Sequence, residues 1–207
     1  MSTPQRLVVG ISGASGAVYG TRLLEILAGI DDVETHLVIT RAARITITSE
    51  TDLSVADVEA LADHVHHHGD IGASIASGSF ITAGMVVAPC SMKTISAIVN
   101  SYADNLLVRA ADVTLKERRP LVLMPRESPL HAGHCRLIYE AAQLGAVIAP
   151  PMPAFYHRPT TLDEIIDHSV GRVLDVLGID AGVVKRWSGL DTVRSLGPHD
   201  DRVSPGE

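Results

Sequence analysis

The sequence predicts an α/β domain with a central parallel sheet that is covered by helices on both faces. Short apolar runs alternate along the chain with segments of helical spacing, most of the runs are continuously apolar, and they end in small, polar or proline-containing residues. Continuously apolar strands are typical of parallel sheets that are buried on both faces. The 207 residues fit one domain, which we expect to span 1–190, followed by a disordered tail over 191–207.

Five strands are predicted from runs rich in apolar and β-branched residues. The first reads LVVGI, the second alternates as VETHLVIT, and prolines stop the last three. The strands are expected at 7–11, 33–40, 85–88, 121–124 and 146–149.

Six helices are predicted between and after these strands. The last has the clearest start, because Thr161 and Glu164 stand at capping-box spacing before an apolar stripe that ends at Gly178. The other five are expected at 19–27, 53–64, 91–99, 103–116 and 136–144.

The carboxyl ends of the predicted strands carry the segments that point to a ligand. In an open parallel sheet these ends meet at one edge, and ligands bind in the crevice outside it. We therefore expect one shared crevice at this edge. It would be formed by SGASG, Thr40, APCSMKT, PRESP and PPMP.

The glycine-rich segment after the first strand is compatible with two structures. It could form only a tight strand–helix turn, or it could bring free backbone N–H groups close to an anion. Thr40 and Arg41 stand where a dinucleotide fold would place an acidic residue, which disfavours NAD and leaves NADP open. No Walker lysine occurs. A mononucleotide with one phosphate fits better, with Ser91 and Thr94 as a second, hydroxyl-bearing cradle.

Two groups of charged residues allow alternative interpretations. Arg126 and Glu127 follow the fourth strand, where they could form a simple ion pair, or an anion-binding arginine beside a carboxylate that moves a proton. The histidine run has no Asp, Glu or Cys partner at a recognised metal spacing, so we expect it to be a solvated loop. The histidine run comprises His64, His66, His67 and His68. The sequence also contains no DDxxD motif, the pattern typical of a magnesium–diphosphate site.

The composition excludes several classes of protein. The chain has 17 Lys and Arg against 24 Asp and Glu, a formal net charge of −7, which disfavours binding to nucleic acid or to anionic membranes. No apolar run approaches the roughly 20 residues needed to span a bilayer. The two cysteines cannot form a disulfide framework, and the N-terminus has neither a secretory nor a transit pattern. We expect a cytoplasmic protein with buried, reduced thiols.

Several long segments resemble the UbiX-like flavin prenyltransferases. They are GISGASGAVYG, ASGSF, APCSMKT, RAADVTLKERRPLVL, PRESPLH, PPMPAFYHRP and VGRVLD, and they cover most of the chain from Arg6 to Trp187. The resemblance implies a Rossmann-like or flavodoxin-like three-layer sandwich that assembles as a dodecamer. It also implies that a dimethylallyl group moves from dimethylallyl monophosphate to N5 and C6 of reduced FMN. The product would be prenylated FMN, the cofactor of a UbiD-type decarboxylase.

The same resemblance implies roles for particular residues, none of which is a metal ligand. FMN would be held by Gly13, Ala14, Ser15, Thr40, Ser91, Met92, Lys93, Thr94 and Arg126. The allylic phosphate would be held by Tyr156 and Arg172, with Lys116 and Arg109 nearby. The catalytic groups would be Ser15, Glu50, Glu127, Lys116 and Trp187.

Two other functions share the implied FMN site. An FMN-dependent decarboxylase of C-terminal cysteines would carry a Pro-x-Met-Asn segment, but this sequence contains no Met-Asn dipeptide. A non-catalytic carrier that hands FMN to a decarboxylase would not need the anion-binding set of Lys116, Arg126, Tyr156 and Arg172.

Overall fold

The sheet is six-stranded and entirely parallel. In the computed structural model, which describes residues 4–187 and residue 189, the strand order is β3-β2-β1-β4-β5-β6. The order reverses between β1 and β4, which places the ligand crevice of a doubly wound sheet at their carboxyl ends. The strands are β1 Gln5–Ile11, β2 Val33–Ile39, β3 His64–His66, β4 Gly84–Cys90, β5 Leu121–Pro125 and β6 Val147–Ile148.

Helices cover both faces of the sheet and enclose two apolar cores. Leu7, Val9 and Ile11 of β1 face one core, whereas Val8 faces the other, as the period of two along a strand requires. The predicted α/β three-layer class is therefore confirmed. The helices are α1 Ala17–Leu27, α2 Arg41–Glu50, α3 Val55–Glu59, α4 Met92–Val99, α5 Leu106–Lys116, α6 Ala132–Gln143 and α7 Leu162–Val176.

The region between β2 and β4 differs from the prediction. Helix α2 was not predicted, because a run of β-branched residues at 45–48 has low intrinsic helix propensity. It forms because Thr40 caps it, accepting a hydrogen bond from the backbone N–H of Ala43, and because Ala43 and Ile47 are buried on one face. The single helix predicted over 53–64 is wrong: the segment contains the short helix α3 and then turns into β3 at His64.

Two local predictions also need correction. Pro89 does not stop β4, which continues to Cys90 through a register irregularity. A proline is tolerated at such an irregularity because the ladder of hydrogen bonds is interrupted there and does not need its missing N–H, while its carbonyl accepts a hydrogen bond from Ser12 N, 3.2 Å away. At the start of α7 the Thr161 hydroxyl accepts from Glu164 N at 3.2 Å, but the Glu164 carboxylate accepts from Thr160 N instead of completing the capping box at Thr161.

The structure also bears on two further predictions, that the chain has no membrane span and that both cysteines are buried. Within 4–187, no helix has both the length and the apolar character that a membrane crossing needs. Cys90 is buried and unpaired as expected, but Cys135 is exposed, since it lies on the outer side of α6. The predicted tail at 191–207 lies outside the described residues.

Candidate active site

The crevice at the switch between β1 and β4 is organised by a buried serine. The Ser12 hydroxyl donates to the Pro89 carbonyl at 3.0 Å and accepts from Ser91 N at 2.8 Å. One side chain thus joins the glycine-rich loop after β1 to the start of α4. The sequence analysis did not assign Ser12 a role, although its place between the last strand residue and the first loop glycine was the available signal.

Helices α2, α4 and α5 all begin at a cavity of about 370 Å³ beside this serine. Three first-turn ends give the cavity free N–H groups and positive helix-dipole ends, which together favour an anion. Five of the residues assigned to FMN line it: Gly13, Thr40, Ser91, Lys93 and Thr94. The rest of the lining was not assigned to FMN from the sequence and consists of Arg41, Ala42, His68, Ala97, Asp104, Asn105 and Val108.

The hydroxyl groups in this cavity are suited to donate to a phosphate. Thr40 and Ser91 use their oxygens to cap α2 and α4, accepting from Ala43 N and Thr94 N respectively, both at 3.2 Å. The Ser91 and Thr94 hydroxyls also lie 3.0 Å apart. Because capping uses the lone pairs of an oxygen, a hydroxyl proton remains free to point at a ligand. This donor set fits the single phosphate of FMN.

Two residues assigned to FMN, Met92 and Ala14, do not belong to the described lining of this cavity. The Met92 side chain is packed in the apolar core at the first turn of α4. Ala14 forms a tight turn in which its N–H donates to Ser12 O at 2.8 Å.

A carboxylate closes the other side of the glycine-rich loop. Glu50, the last residue of α2, accepts hydrogen bonds from Gly16 N at 2.7 Å and Ala17 N at 3.1 Å, and it also bonds the Ser15 side chain. Burial alone would raise the pKa of Glu50 and is the largest single effect. The hydrogen bonds and the positive charge of Arg126 together lower the pKa by more than burial raises it, so the pKa of Glu50 lies below its ordinary value.

The position of Arg126 follows from the end of β5. Its backbone N–H donates to Cys90 O at 3.2 Å, which holds the loop after β5 against the end of β4. Its charge also acts on Tyr19, although burial is the larger effect there and raises the pKa of that phenol. The structure therefore places Ser15, Glu50 and Arg126 near one another around the loop after β1.

Replacing Glu50 with glutamine is expected to change the pH dependence of stability. A carboxylate with a lowered folded-state pKa stabilises the fold above its unfolded-state pKa of 4.5. That contribution is lost as pH falls through the folded-state value. Urea denaturation of both proteins between pH 7 and pH 3 should show a free-energy difference that is constant down to about pH 5 and then shrinks. A difference that is unchanged at pH 3 would contradict this role.

Glu127 lies next to Arg126 but makes a different set of contacts. Its side chain is exposed, and its carboxylate accepts from the N–H of Ser128 at 3.1 Å, within its own loop. An exposed carboxylate at the mouth of the crevice can exchange protons with a ligand and with water.

A second group of assigned residues lies around a separate cavity of about 510 Å³, to which α7 contributes Arg172. Tyr156 hydrogen-bonds His168 Nε2 at 2.8 Å, and its ring meets Trp187 edge-to-face with centroids 5.6 Å apart. Arg172 pairs with Asp175 at 2.6 Å and also lines this cavity. Three residues assigned to the allylic substrate and its prenyl group are thus brought together, but the described linings of this cavity and of the crevice share no residue.

A third group is separated from both within one chain. Lys116 is the last residue of α5, which begins at the crevice, so about 15 Å of helix lies between Lys116 and the cavity. Lys116 pairs with Glu117. Arg109, nearer the start of α5, donates from Nε to Ala76 O at 3.1 Å and pairs with Asp112. A single chain does not assemble the whole anion-binding set.

Comparison with known proteins identifies the family. The sequence model described as Flavoprotein matches residues 1–173. The flavin prenyltransferase UbiX of Escherichia coli K12 is 60% identical over 187 residues, which cover 89% of this chain and 99% of that protein. The chain belongs to the UbiX family of flavin prenyltransferases.

Solved structures of family members share the fold. AnUbiX (PadA1), crystallised with FMN and dimethylallyl pyrophosphate, matches with a TM-score of 0.88 and 48% identity, over 90% of this chain and 98% of that one. The dodecameric FMN-dependent UbiX-like decarboxylase from E. coli O157:H7 matches with a TM-score of 0.88 and 50% identity, over 89% of this chain and 100% of that one. The predicted family is confirmed.

Proposed function

We propose that this protein transfers a dimethylallyl group from dimethylallyl monophosphate to N5 and C6 of reduced FMN and releases prenylated FMN. The observation that carries the proposal is the cavity at which three helices begin, together with the hydrogen bonds from the loop after β1 to Glu50, in a chain 60% identical to a flavin prenyltransferase. The cavity suits the flavin phosphate, and Ser15, Glu50 and Arg126 supply groups for proton transfer.

FMN is held mainly by the first turns of α2 and α4. The hydroxyls of Thr40, Ser91 and Thr94 donate to its phosphate, and Lys93 supplies a positive charge at the cavity wall. Gly13 lets the loop after β1 pack against Ala42 at the first turn of α2, where a side chain would not fit, so that both segments line the cavity.

The allylic phosphate requires cations because it leaves with negative charge. Arg172, Lys116, Arg109 and Arg126 supply positive charge, and Tyr156 supplies a hydrogen bond, so no divalent ion is needed for a monophosphate. One chain spreads these residues over three places. We therefore place the complete site between copies of the chain in a homo-oligomer, in line with the dodecameric relative.

The reaction consists of two bond formations. The dimethylallyl C1 bonds flavin N5 as the C–O bond to phosphate breaks, and the developing allylic charge is stabilised by the π-faces of the flavin and Trp187. N5 loses its proton as it is alkylated. The prenyl double bond is then protonated at C2, its C3 bonds flavin C6, and the C6 proton is lost. Glu127 or the released phosphate accepts that proton, and Ser15 and Glu50 relay protons at the loop after β1.

The product's use and the protein's location complete the proposal. Prenylated FMN passes to a UbiD-type decarboxylase. The competing functions are those that share the FMN site: a non-catalytic FMN carrier and a cysteine decarboxylase. A cytoplasmic location is supported by Cys90 and Cys135, which are unpaired within the described structure, as thiols remain in reducing compartments.

The decisive experiment is anaerobic incubation of the protein with reduced FMN and dimethylallyl monophosphate, with dimethylallyl diphosphate in parallel. Flavin released afterwards should be heavier by one dimethylallyl unit less a proton, with a changed absorption spectrum. Unmodified FMN recovered from both reactions would favour the carrier, and this result would overturn the proposed function.

Replacing Arg172 with alanine is expected to raise KM for the allylic phosphate about tenfold or more, with a smaller change in kcat. A charge-assisted contact to phosphate contributes about 1.5–3 kcal/mol, and a contact made equally before and during reaction acts on KM. Steady-state kinetics with the phosphate varied at saturating FMN would measure this. If FMN affinity alone fell, the assignment of Arg172 to the allylic phosphate would be wrong.

A further inference from the structure

A cluster of one carboxylate and two imidazoles lies at the β2–β3 edge of the sheet. Glu34 and His36 alternate along β2 and therefore share a face, and His64 is the register partner of His36 on β3. Glu34 Oε1 lies 2.9 Å from His36 Nε2 and 3.6 Å from His64 Nε2, and the three ligand atoms all lie within 4.8 Å of one another.

This geometry matches the spacing of metal ligands. Tetrahedral ligands with bonds of 2.0–2.1 Å to zinc stand about 3.3 Å apart, between the two distances measured from Glu34. Two imidazoles and one carboxylate form a donor set that suits zinc and other first-row divalent ions rather than magnesium or calcium. We propose that Glu34, His36 and His64 bind one Zn²⁺, with water in the fourth position.

His66 fixes the orientation of the central ligand. His36 is 3% exposed, and its Nδ1 lies 2.9 Å from His66 Nε2. Zinc at His36 Nε2 replaces the proton shared with Glu34, so the imidazole proton sits on Nδ1 and is donated to His66 Nε2. A ligating histidine whose second nitrogen is hydrogen-bonded has a fixed tautomer and ring orientation.

Two features modulate the site. Arg6 donates from Nε to Glu34 Oε1 at 3.1 Å and stacks over the Phe80 ring, which holds the carboxylate in place but lowers its affinity for a cation. The His64 side chain is 54% exposed and its ring stacks on His36 with centroids 4.7 Å apart. Because the two rings are nearly parallel, with an interplanar angle of 22°, zinc binding requires the exposed His64 ring to rotate until its lone pair points at the ion.

This ion stabilises the β2–β3 edge of the sheet and takes no part in prenyl transfer. In the described structure β3 is three residues long and pairs only with β2, so a metal bridge from His64 to Glu34 and His36 adds a connection where the sheet is weakest. His36, the central ligand, stands four residues before Thr40 along β2, which puts the cluster about 13 Å from the crevice.

The test is a Zn²⁺ titration of untagged, chelator-treated oligomer by calorimetry, comparing wild type with His64→Gln and with His67→Gln. His67 belongs to the same histidine run but lies outside the cluster, and both substituted side chains are at the surface, so the variants should fold. Wild type and His67→Gln should bind one Zn²⁺ per chain, and His64→Gln should bind at least tenfold more weakly. With Co²⁺, tetrahedral absorption bands should appear in wild type and disappear in His64→Gln.

Two outcomes would overturn the zinc site. One is equal Zn²⁺ affinity in wild type and His64→Gln, and the other is the absence of stoichiometric binding in wild type. Prenyl transfer should be unchanged by chelator treatment. Loss of activity after chelation would contradict metal-independent prenyl transfer and, with it, the separation of the zinc site from catalysis.

Discussion

Replacing Glu127 with glutamine is expected to leave FMN bound and to slow prenylated-FMN formation by about 10²- to 10⁴-fold. Ring closure requires a base for the C6 proton, and removing a positioned general base has an effect of this size. Glutamine keeps the shape and the hydrogen bond to Ser128 N but cannot accept the proton. Single-turnover kinetics with reduced FMN, monitored by absorbance, would separate N5 alkylation from ring closure.

The same variant tests whether the site is shared between chains. Glu127→Gln and Lys116→Ala should each be nearly inactive alone, because each lacks one part of every site. If each site takes Glu127 and Lys116 from different chains, random co-assembly of equal amounts should restore up to roughly a quarter of the wild-type activity. Co-assembly without recovery would place both residues in one chain. Turnover unchanged by Glu127→Gln would remove this carboxylate from the mechanism.

Replacing Gly13 with alanine is expected to weaken FMN binding by about 10- to 100-fold. A Cβ at this position would lie 2.2 Å from the Ala42 Cβ, at the first turn of α2. The loop after β1 and the start of α2 must then separate, and overpacking of this kind costs about 1–3 kcal/mol. Because both segments line the cavity, the FMN dissociation constant measured by fluorescence quenching should report the displacement.

Gly29→Ala provides the matched control. Gly29 is exposed in the turn after α1, and an added Cβ would approach only the Ile26 carbonyl, at 3.5 Å. This variant should bind FMN like wild type and should unfold at a similar temperature. If Gly13→Ala also binds like wild type, the cavity beside Gly13 does not hold FMN.

The strands that position the crevice were predictable because they carry unambiguous local patterns. The apolar runs that became β1, β4 and β5 are buried on both faces. Thr40 stood at the expected end of the second strand, and Ser91 stood at an expected strand–helix junction. The resemblance supplied residue roles that no pattern could supply, and Gly13, Thr40, Ser91, Lys93 and Thr94 do line one cavity. The predicted tail was not tested by the described residues.

The errors concentrate where a segment depends on distant partners. Helix α2 contains β-branched residues, and its formation depends on burial of Ala43 and Ile47 against the core. The histidine run was expected to be a solvated loop because no Asp, Glu or Cys stood at a recognised metal spacing from it. Its partners Glu34 and His36 lie about 30 residues earlier and meet it only through the pairing of β2 with β3.

The sequence alone determined the sheet class, the strand–helix order, the carboxyl-edge crevice and, through resemblance, the family. These properties depend on local apolar periodicity and on short segments whose residues are adjacent in the chain. Tertiary structure decided three other matters: that Ser12 joins two strand ends, that the anion-binding residues form three separate groups in one chain, and that Glu34, His36 and His64 form a cluster. Each depends on distances between residues far apart in sequence, which are set by strand pairing and by which helix packs on which face.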